Sequence, residues 1–216
     1  GEVGPLDAML APSMSTAELD AWLGEASNKA AFQRLITAPL GAATLCASAS
    51  AMSAIAGSAQ AMDMTLENDA AISAAFGSAI AATVLAGSGA AMSAMVERQT
   101  IHALMVGSRI MMNAVAESGA AMDAVFASMS MRTLIYDTPG VWGRLVASAA
   151  ARAWIIAHAT EASTTSTSDV TVRTGRTALI QQRSSGAISY AYDGSKAVLG
   201  STTVSYTHLT LPTKRI

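Results

Sequence analysis

Residues 48–97 read SASAMSAIAG, SAQAMDMTLE, NDAAISAAFG, SAIAATVLAG and SGAAMSAMVE when the chain is written in lines of ten. The same frame continues without a gap through RQTIHALMVG, SRIMMNAVAE, SGAAMDAVFA and SMSMRTLIYD to Asp137. Looser copies extend it backward to Glu18 and forward to Ala157, so residues 18–157 form fourteen units of ten. Self-similarity at a short fixed period is typical of repeat architectures. This unit, called the decad below, therefore decides the fold.

The first and last positions of the decad carry helix boundary signals. Serine, threonine or asparagine, the side chains that cap helix N-termini, occupies the first position in eleven of the fourteen units. These eleven residues are Asn28, Ser48, Ser58, Asn68, Ser78, Ser88, Ser108, Ser118, Ser128, Thr138 and Ser148. Glycine occupies the tenth position at 57, 77, 87 and 107, where a helix tends to terminate. The pattern predicts one short helix per decad.

The fifth and eighth positions predict the buried face of each helix. Alanine is usual at the fourth, bulky residues fill the fifth, and Leu, Ile, Val or Met is frequent at the eighth. Positions five and eight are neighbours on one helical face. The fifth position is Trp22, Phe32, Met52, Met62, Ile72, Met92, Met112, Met122 or Trp142 in nine units.

Helices of about two turns do not form in isolation, so they must stack on their neighbours. The sequence predicts a mainly α protein, a solenoid of short stacked helices built on the ten-residue repeat and followed by a small antiparallel β module. Two alternatives stay open. A single long helix would have to tolerate Gly and Ser at every third turn, and a β-solenoid would need alternating β-branched or aromatic residues, which these units lack.

The ends of the repeat define the remaining segments. Residues 1–17 are predicted as an extended lead-in because of Pro5 and Pro12, with a capping box from Ser15 to Glu18 opening the first helix. After the solenoid at 18–157 we expect a polar linker at 158–169 and a small β module at 170–204, where Asp193-Gly194 is a hairpin signal. The tail at 205–216, SYTHLTLPTKRI, resembles translated adapter sequence. We therefore expect the native chain to continue beyond about Val204 and the β module to be incomplete.

Composition excludes some partners. A net charge of -2 with three lysines gives no electrostatic footprint for nucleic acid. The stretches 38–62 and 70–96 lack charge for long enough to span a bilayer, but they are interrupted by Gly and Ser and lack an aromatic belt, which disfavours a membrane protein. The lone Cys46 has apolar neighbours and is predicted to be a small buried side chain.

The sequence contains no phosphate-binding glycine loop, paired cysteine ligands, HExxH motif or GxSxG elbow, so we expect no catalytic residue, no cofactor and no metal site. His102 stands in the fifth column and is predicted to be packed or to face an oligomer contact. Arg132 and Arg152 stand in the same column and are predicted at an edge of the stack. The methionines of this column are predicted to be core rather than ligands of a soft metal.

The sixth column is polar and supplies the candidate binding face. The column is predicted to form a polar line along one side of the array, which would be a solvated face or a surface for a glycan or another partner. The residues are Ser53, Asp63, Ser73, Thr83, Ser93, Asn113, Asp123 and Thr133.

Units of the form SxxAMxAhhx, preceded by ELDAWLGEASNKAAFQRL and followed by ALIQQRSSGAISYAYDGS, resemble repeat-bearing structural proteins of tailed bacteriophages, among them tail-fibre or baseplate-associated proteins. The resemblance covers most of 18–199. It implies a virion or extracellular component that spans distance or presents a terminal β module to a host surface, often as a homo-oligomer or with other virion proteins. It brings no catalytic residues.

The sequence therefore predicts a non-enzymatic structural or adhesion component of a phage particle from an environmental source, with the repeat as spacer and the β module as a docking or receptor-facing piece. Two other functions stay open. One is a bacterial surface or secreted binding protein that uses the sixth column, and the other is a membrane protein rich in small residues.

Overall fold

The computed structural model describes residues 4, 7, 9 and 14–158, and beyond them only the backbone of several strands. The described part is mainly helical. Its α-helices are α1 (Thr16–Leu23), α2 (Ala26–Thr37), α3 (Pro39–Cys46), α4 (Ala49–Gly57), α5 (Ala59–Leu66), α6 (Asp69–Gly77), α7 (Ala79–Gly87), α8 (Gly89–Glu97), α9 (His102–Gly107), α10 (Arg109–Ala116), α11 (Gly119–Ala127), α12 (Met129–Asp137), α13 (Val141–Ala147) and α14 (Ala149–His158). A 3-10 turn at Gln99–Ile101 precedes α9.

The prediction of one short helix per decad is confirmed. Each of the fourteen units contributes one α-helix, mostly of eight or nine residues. The side chain at the first position accepts a hydrogen bond from the backbone N–H three residues later in nine of the eleven predicted caps. These caps are Ser48, Ser58, Asn68, Ser78, Ser88, Ser108, Ser118, Ser128 and Ser148.

The first two decads depart from the register of the others. Helix α2 begins at Ala26, so Asn28 lies inside it rather than at its cap, and its amide donates to the Trp22 carbonyl at 3.0 Å. The capping box of α1 is confirmed, since the Ser15 side chain accepts from the Glu18 N–H and Glu18 accepts from the Ser15 N–H. In the predicted extended lead-in, Asp7 and Met9 are helical rather than extended, and Met9 is buried.

The chain divides into two compact units, 1–131 and 132–216. In the first unit, helices three places apart in sequence pack against each other: α1 on α4, α3 on α6, α4 on α7, α5 on α8, α7 on α10 and α8 on α11. Consecutive helices meet at corners, and α3 to α4 and α6 to α7 turn by 96°. Three decads therefore make one turn of the solenoid, called a coil below.

Four columns of the decad are buried in the solenoid, whereas the sequence predicts two, the fifth and the eighth. Columns five and eight form core as predicted, with Met52, Met92 and Leu85 at most 2% exposed. Columns four and nine are buried beside them, as at Ala81 and Phe76. The stripe is wide because each helix packs against the coil interior and against the coils on both sides of it.

The glycines of the tenth column do not end the helices by a left-handed residue. Gly57, Gly77, Gly87 and Gly107 are the last helical residues, and the following serine adopts an extended backbone. The only positive-φ glycine in the described residues is Gly140 (φ 78°), before α13. Each of these helices ends because the serine that follows the glycine is extended and caps the next helix. Glu67 and Glu117, which stand in the glycine column, are themselves the C-cap residues of α5 and α10.

The second unit contains α13 and α14, which pack against each other. The Trp142 ring lies 5.4 Å from the Tyr136 ring, tilted by 57°. Thr138 is not a cap as predicted, because α13 begins only after the left-handed turn at Gly140. Arg152 donates to the carbonyls of Val146 and Ala147, so this fifth-column side chain caps the C-terminus of the preceding helix.

Beyond α14 the backbone of the second unit includes strands Thr160–Ser166, Thr171–Thr174, Thr177–Ser184, Ala187–Asp193, Lys196–Val198 and Val204–Thr210. The side chains of these strands lie outside the described residues. The polar linker at 158–169, the β module at 170–204 and the non-native tail at 205–216 stay predictions.

No single helix in the described part is long and apolar enough to cross a bilayer. Two consecutive pairs, α3 with α4 and α6 with α7, reach the required length and composition together, and each pair is bent by 96°.

Candidate functional site

The sixth column is exposed at all eight predicted positions, but it does not form one line. Because stacked helices are three decads apart, the column divides among different sides of the coil. One side carries Ser53, Thr83 and Asn113, and another carries Asp63, Ser93 and Asp123. Ser73 lies on α6 of a third side, and Thr133 belongs to the second unit. A partner that follows one side of the solenoid therefore meets one sixth-column residue in every thirty.

Shallow grooves separate the stacked helices on the outer surface. One groove of about 530 Å³ lies between α7 and α10 and includes Thr83 and Asn113. Another of about 810 Å³ lies between α2 and α5 and includes Lys29 and Asp63. Both are open surface clefts without convergent catalytic groups, which suits contact with another surface better than enclosure of a substrate.

Asp63 forms an ion pair between two neighbouring coils. Its carboxylate lies 2.8 Å from the Arg98 guanidinium, and Glu67 lies 3.6 Å from the same group. Arg98 stands at a first position where most decads have serine, and its unit begins with a 3-10 turn instead of a capped helix. The pairing therefore connects α5 to the corner before α9. Exposed pairs of this kind contribute about 0.2–1 kcal/mol.

The serines of the first column connect coils as well as capping helices. The hydroxyls of Ser78, Ser88, Ser108 and Ser118 donate to carbonyls thirty-two residues earlier, at 2.7, 3.3, 2.7 and 2.6 Å. The same oxygens accept from the N–H that opens their own helices, as Ser78 does from Ala81 at 3.3 Å. Only a hydroxyl both donates and accepts through one atom, so an aspartate cap cannot replace it.

His102 completes this connection where the regular bond is absent. By the thirty-two-residue rule, Ser128 would donate to the Val96 carbonyl, but His102 Nε2 occupies that acceptor at 2.8 Å. His102 Nδ1 lies 3.1 Å from the Ser130 hydroxyl, which lies 3.0 Å from the Ser128 hydroxyl. A carbonyl only accepts, so Nε2 carries a proton. The predicted packed role of His102 is confirmed, since the residue is 2% exposed.

We predict that Ser78→Ala lowers the free energy of unfolding by about 2 kcal/mol, because it removes a helix cap and leaves the Cys46 carbonyl without its hydroxyl donor. Ser78→Asp keeps the cap acceptor and loses only the donor, whereas Ser78→Thr keeps both. Urea unfolding followed by circular dichroism should rank the variants Thr, Asp, Ala in falling stability. Equal stability of Thr and Asp variants would show that the bond between coils contributes nothing.

The titratable and metal-binding side chains of the described residues form no reactive group. Met52, Met62, Met92, Met112 and Met122 are at most 2% exposed, which confirms their core role. No group of three or more His, Cys, Asp or Glu residues there is placed to hold a metal ion. Cys46 is a buried free thiol, as predicted, and burial raises its pKa to about 11. Hydrogen bonds from Ser15 hold the pKa of the Glu18 carboxyl below its usual value.

Comparison with known proteins finds no protein-family model and no curated protein that matches this chain. The resemblance to phage repeat proteins therefore depends on the quoted residues alone.

Proposed function

We propose that this chain is a non-enzymatic structural component in which the decad solenoid serves as a spacer. The observation that carries the proposal is the bond pattern between coils. The hydroxyls of four first-column serines repeat one connection at a separation of thirty-two residues. Because successive coils pack through the same core columns and this hydroxyl bond recurs between them, length is added by coil number without changing the contacts of the existing coils.

The resemblance to tailed-phage proteins suggests the particle to which the spacer belongs. In this proposal the chain is a tail-fibre or baseplate-associated protein of a virion, and the predicted β module docks on another virion protein or faces a receptor on the host. The exposed surface of the first unit consists largely of Ala, Ser, Gly and a few carboxylates, which suits a shaft whose specificity lies at its end.

The spacer function is tested by duplicating residues 78–107 within the full chain. One added coil should lengthen the particle by about 8–10 Å, the distance between packed helices, in small-angle X-ray scattering. A thirty-residue Gly/Ser insertion at the same point is the control, because it adds a flexible loop without adding a coil. An unchanged maximum dimension with the duplicated coil would reject the spacer.

The virion assignment has a separate test. Tailed-phage particles purified from a sample in which the gene is detected should yield tryptic peptides of the repeat by mass spectrometry. These peptides should cosediment with capsid and tail proteins after a high-salt wash. Peptides found only in the cellular fraction would reject the virion while leaving the spacer intact.

A second candidate function is a bacterial surface or secreted binding protein. It is favoured by the exposure of all eight sixth-column residues. Because these residues lie on different sides of the coil, a ligand would use one side, for example Ser53, Thr83 and Asn113. Glycan-array binding that is lost on Thr83→Ala and Asn113→Ala, with unchanged melting temperature, would favour this function over the spacer.

A further inference from the structure

Helix α10 carries three exposed polar residues in one row. Arg109, Asn113 and Glu117 are spaced by four residues, so they follow one another along a single helical face. Eight residues of helix place Arg109 and Glu117 about 12 Å apart, with Asn113 halfway between them. The order along the row is a cation, an amide and an anion.

The two charged side chains lie at the ends of α10 where they destabilise that helix. Arg109 is the first residue of α10 and Glu117 is its C-cap, so each faces the helix-dipole end of its own sign. Neither side chain is in an ion pair among the residues that the structure describes. Glu67, which occupies the same column as Glu117, has Arg98 as a partner from the next coil. Local folding does not explain this arrangement of α10.

One exposed isoleucine lies beside this row on α10, and a second lies on the stacked helix α7. Ile80 on α7 is 45% exposed and Ile110 on α10 is 38% exposed, and both occupy the third position of stacked decads. The groove of about 530 Å³ between these helices has Ile110, Asn113 and Thr83 in its wall. This surface, called the isoleucine strip, combines an apolar centre with one free charge at either end of α10.

We propose that the isoleucine strip binds the same strip of a second copy of this chain, with the two α10 helices antiparallel about a twofold axis near Asn113. In that orientation each Arg109 meets Glu117 of the other copy, because the row is reversed by the rotation. An amide donates and accepts at once, so Asn113 pairs with its own copy on the axis. A surface that is complementary to itself under a twofold is the requirement for an isologous dimer. Ile80 and Ile110 of each copy are then covered by the strip of the other copy.

Analytical ultracentrifugation of the full chain tests the contact. We expect a concentration-dependent dimer, and Ile110→Asp should shift it to monomer because a charge would enter the apolar centre. Ile110 is exposed in the single chain, so its replacement should leave the melting temperature within a few degrees. Met129→Asp is the control, since Met129 is 75% exposed and lies off the strip.

Charge reversal tests the orientation. Arg109→Glu and Glu117→Arg should each weaken the dimer by about tenfold, because each sets like charges against each other at both ends of the contact. Both changes favour the dipole of α10, so loss of folding cannot mimic the effect. Mixing the two variants should restore the dimer, since every contact between them is again between opposite charges.

A wild-type chain that stays monomeric up to high micromolar concentration would overturn the proposal, as would a trimer or a dimer that is insensitive to Ile110→Asp. A dimer that is lost on Ile110→Asp but is not rescued by mixing the charge variants would overturn the antiparallel arrangement. The proposal does not depend on the virion assignment.

Discussion

Met92→Asp is expected to destabilise the solenoid by about 4 kcal/mol, because it places an unpaired charge at a fully buried position. Met92 lies on α8, which packs against α5 and α11 in the coils on either side. A carboxylate there finds no water from either coil. Since small domains have a total stability of about 5–15 kcal/mol, the loss should be visible as a large fall in both the melting temperature and the urea midpoint.

The matched control for Met92→Asp is Met129→Asp. Met129 is the first residue of α12 and is 75% exposed, so the same substitution adds a solvated charge at a helix N-terminus. A carboxylate is favourable at that end of a helix, and the change should stay within about 0.5 kcal/mol. Equal melting temperatures for wild type and Met92→Asp would mean that the fifth column is exposed, and the coil of three decads would be wrong.

Deletions should separate the ten-residue frame from the thirty-residue coil. Removing 88–92 should abolish cooperative folding, because every later residue moves five positions and the exposed tenth column enters the place of the fifth. Removing 88–97 keeps all columns in register, so the chain should still fold. The shortened chain loses the contact between Arg98 and Asp63, because a residue other than Asp63 then lies one coil before Arg98. A loss of about 1 kcal/mol is expected from that pair.

Removing 78–107 deletes one complete coil and should preserve the most contacts. Ser108 then takes the place of Ser78 opposite the Cys46 carbonyl, so the hydroxyl bond between coils is reformed. Circular dichroism and urea unfolding should show cooperative transitions for the ten- and thirty-residue deletions and none for the five-residue deletion. Equal tolerance of five and ten residues would contradict stacked decads.

The candidate site was predicted only in part. Exposure of the sixth column follows from the helical period, because position six faces away from positions five and eight. Its division among the sides of the coil does not follow, since a decad period gives no number of helices per turn. The missed residues, Arg109 and Glu117, carried a signal in the sequence, because each is a charge at the disfavoured end of a predicted helix.

The dual role of the first-column serines illustrates the same limit. Ser78 is recognisable in the sequence as a cap, and the structure confirms this. Its second bond joins it to Cys46, thirty-two residues away, and that distance has meaning only once three helices are known to complete a coil. His102 likewise replaces Ser128 as the partner of the Val96 carbonyl. This replacement is visible only in the tertiary structure, where His102 lies beside Ser130.

The sequence by itself determined most of the local structure of the first unit: where most of its helices begin and end, and that Met92 and Leu85 face a core. These are consequences of hydrogen bonds and side-chain spacing within ten residues, which the chain specifies locally. Only the tertiary structure decided that three helices close a coil, that columns four and nine join the core, and that Ile80 lies on the helix stacked against that of Ile110. Those features depend on the angle at each corner and on packing between residues about thirty apart, and no local pattern specifies either.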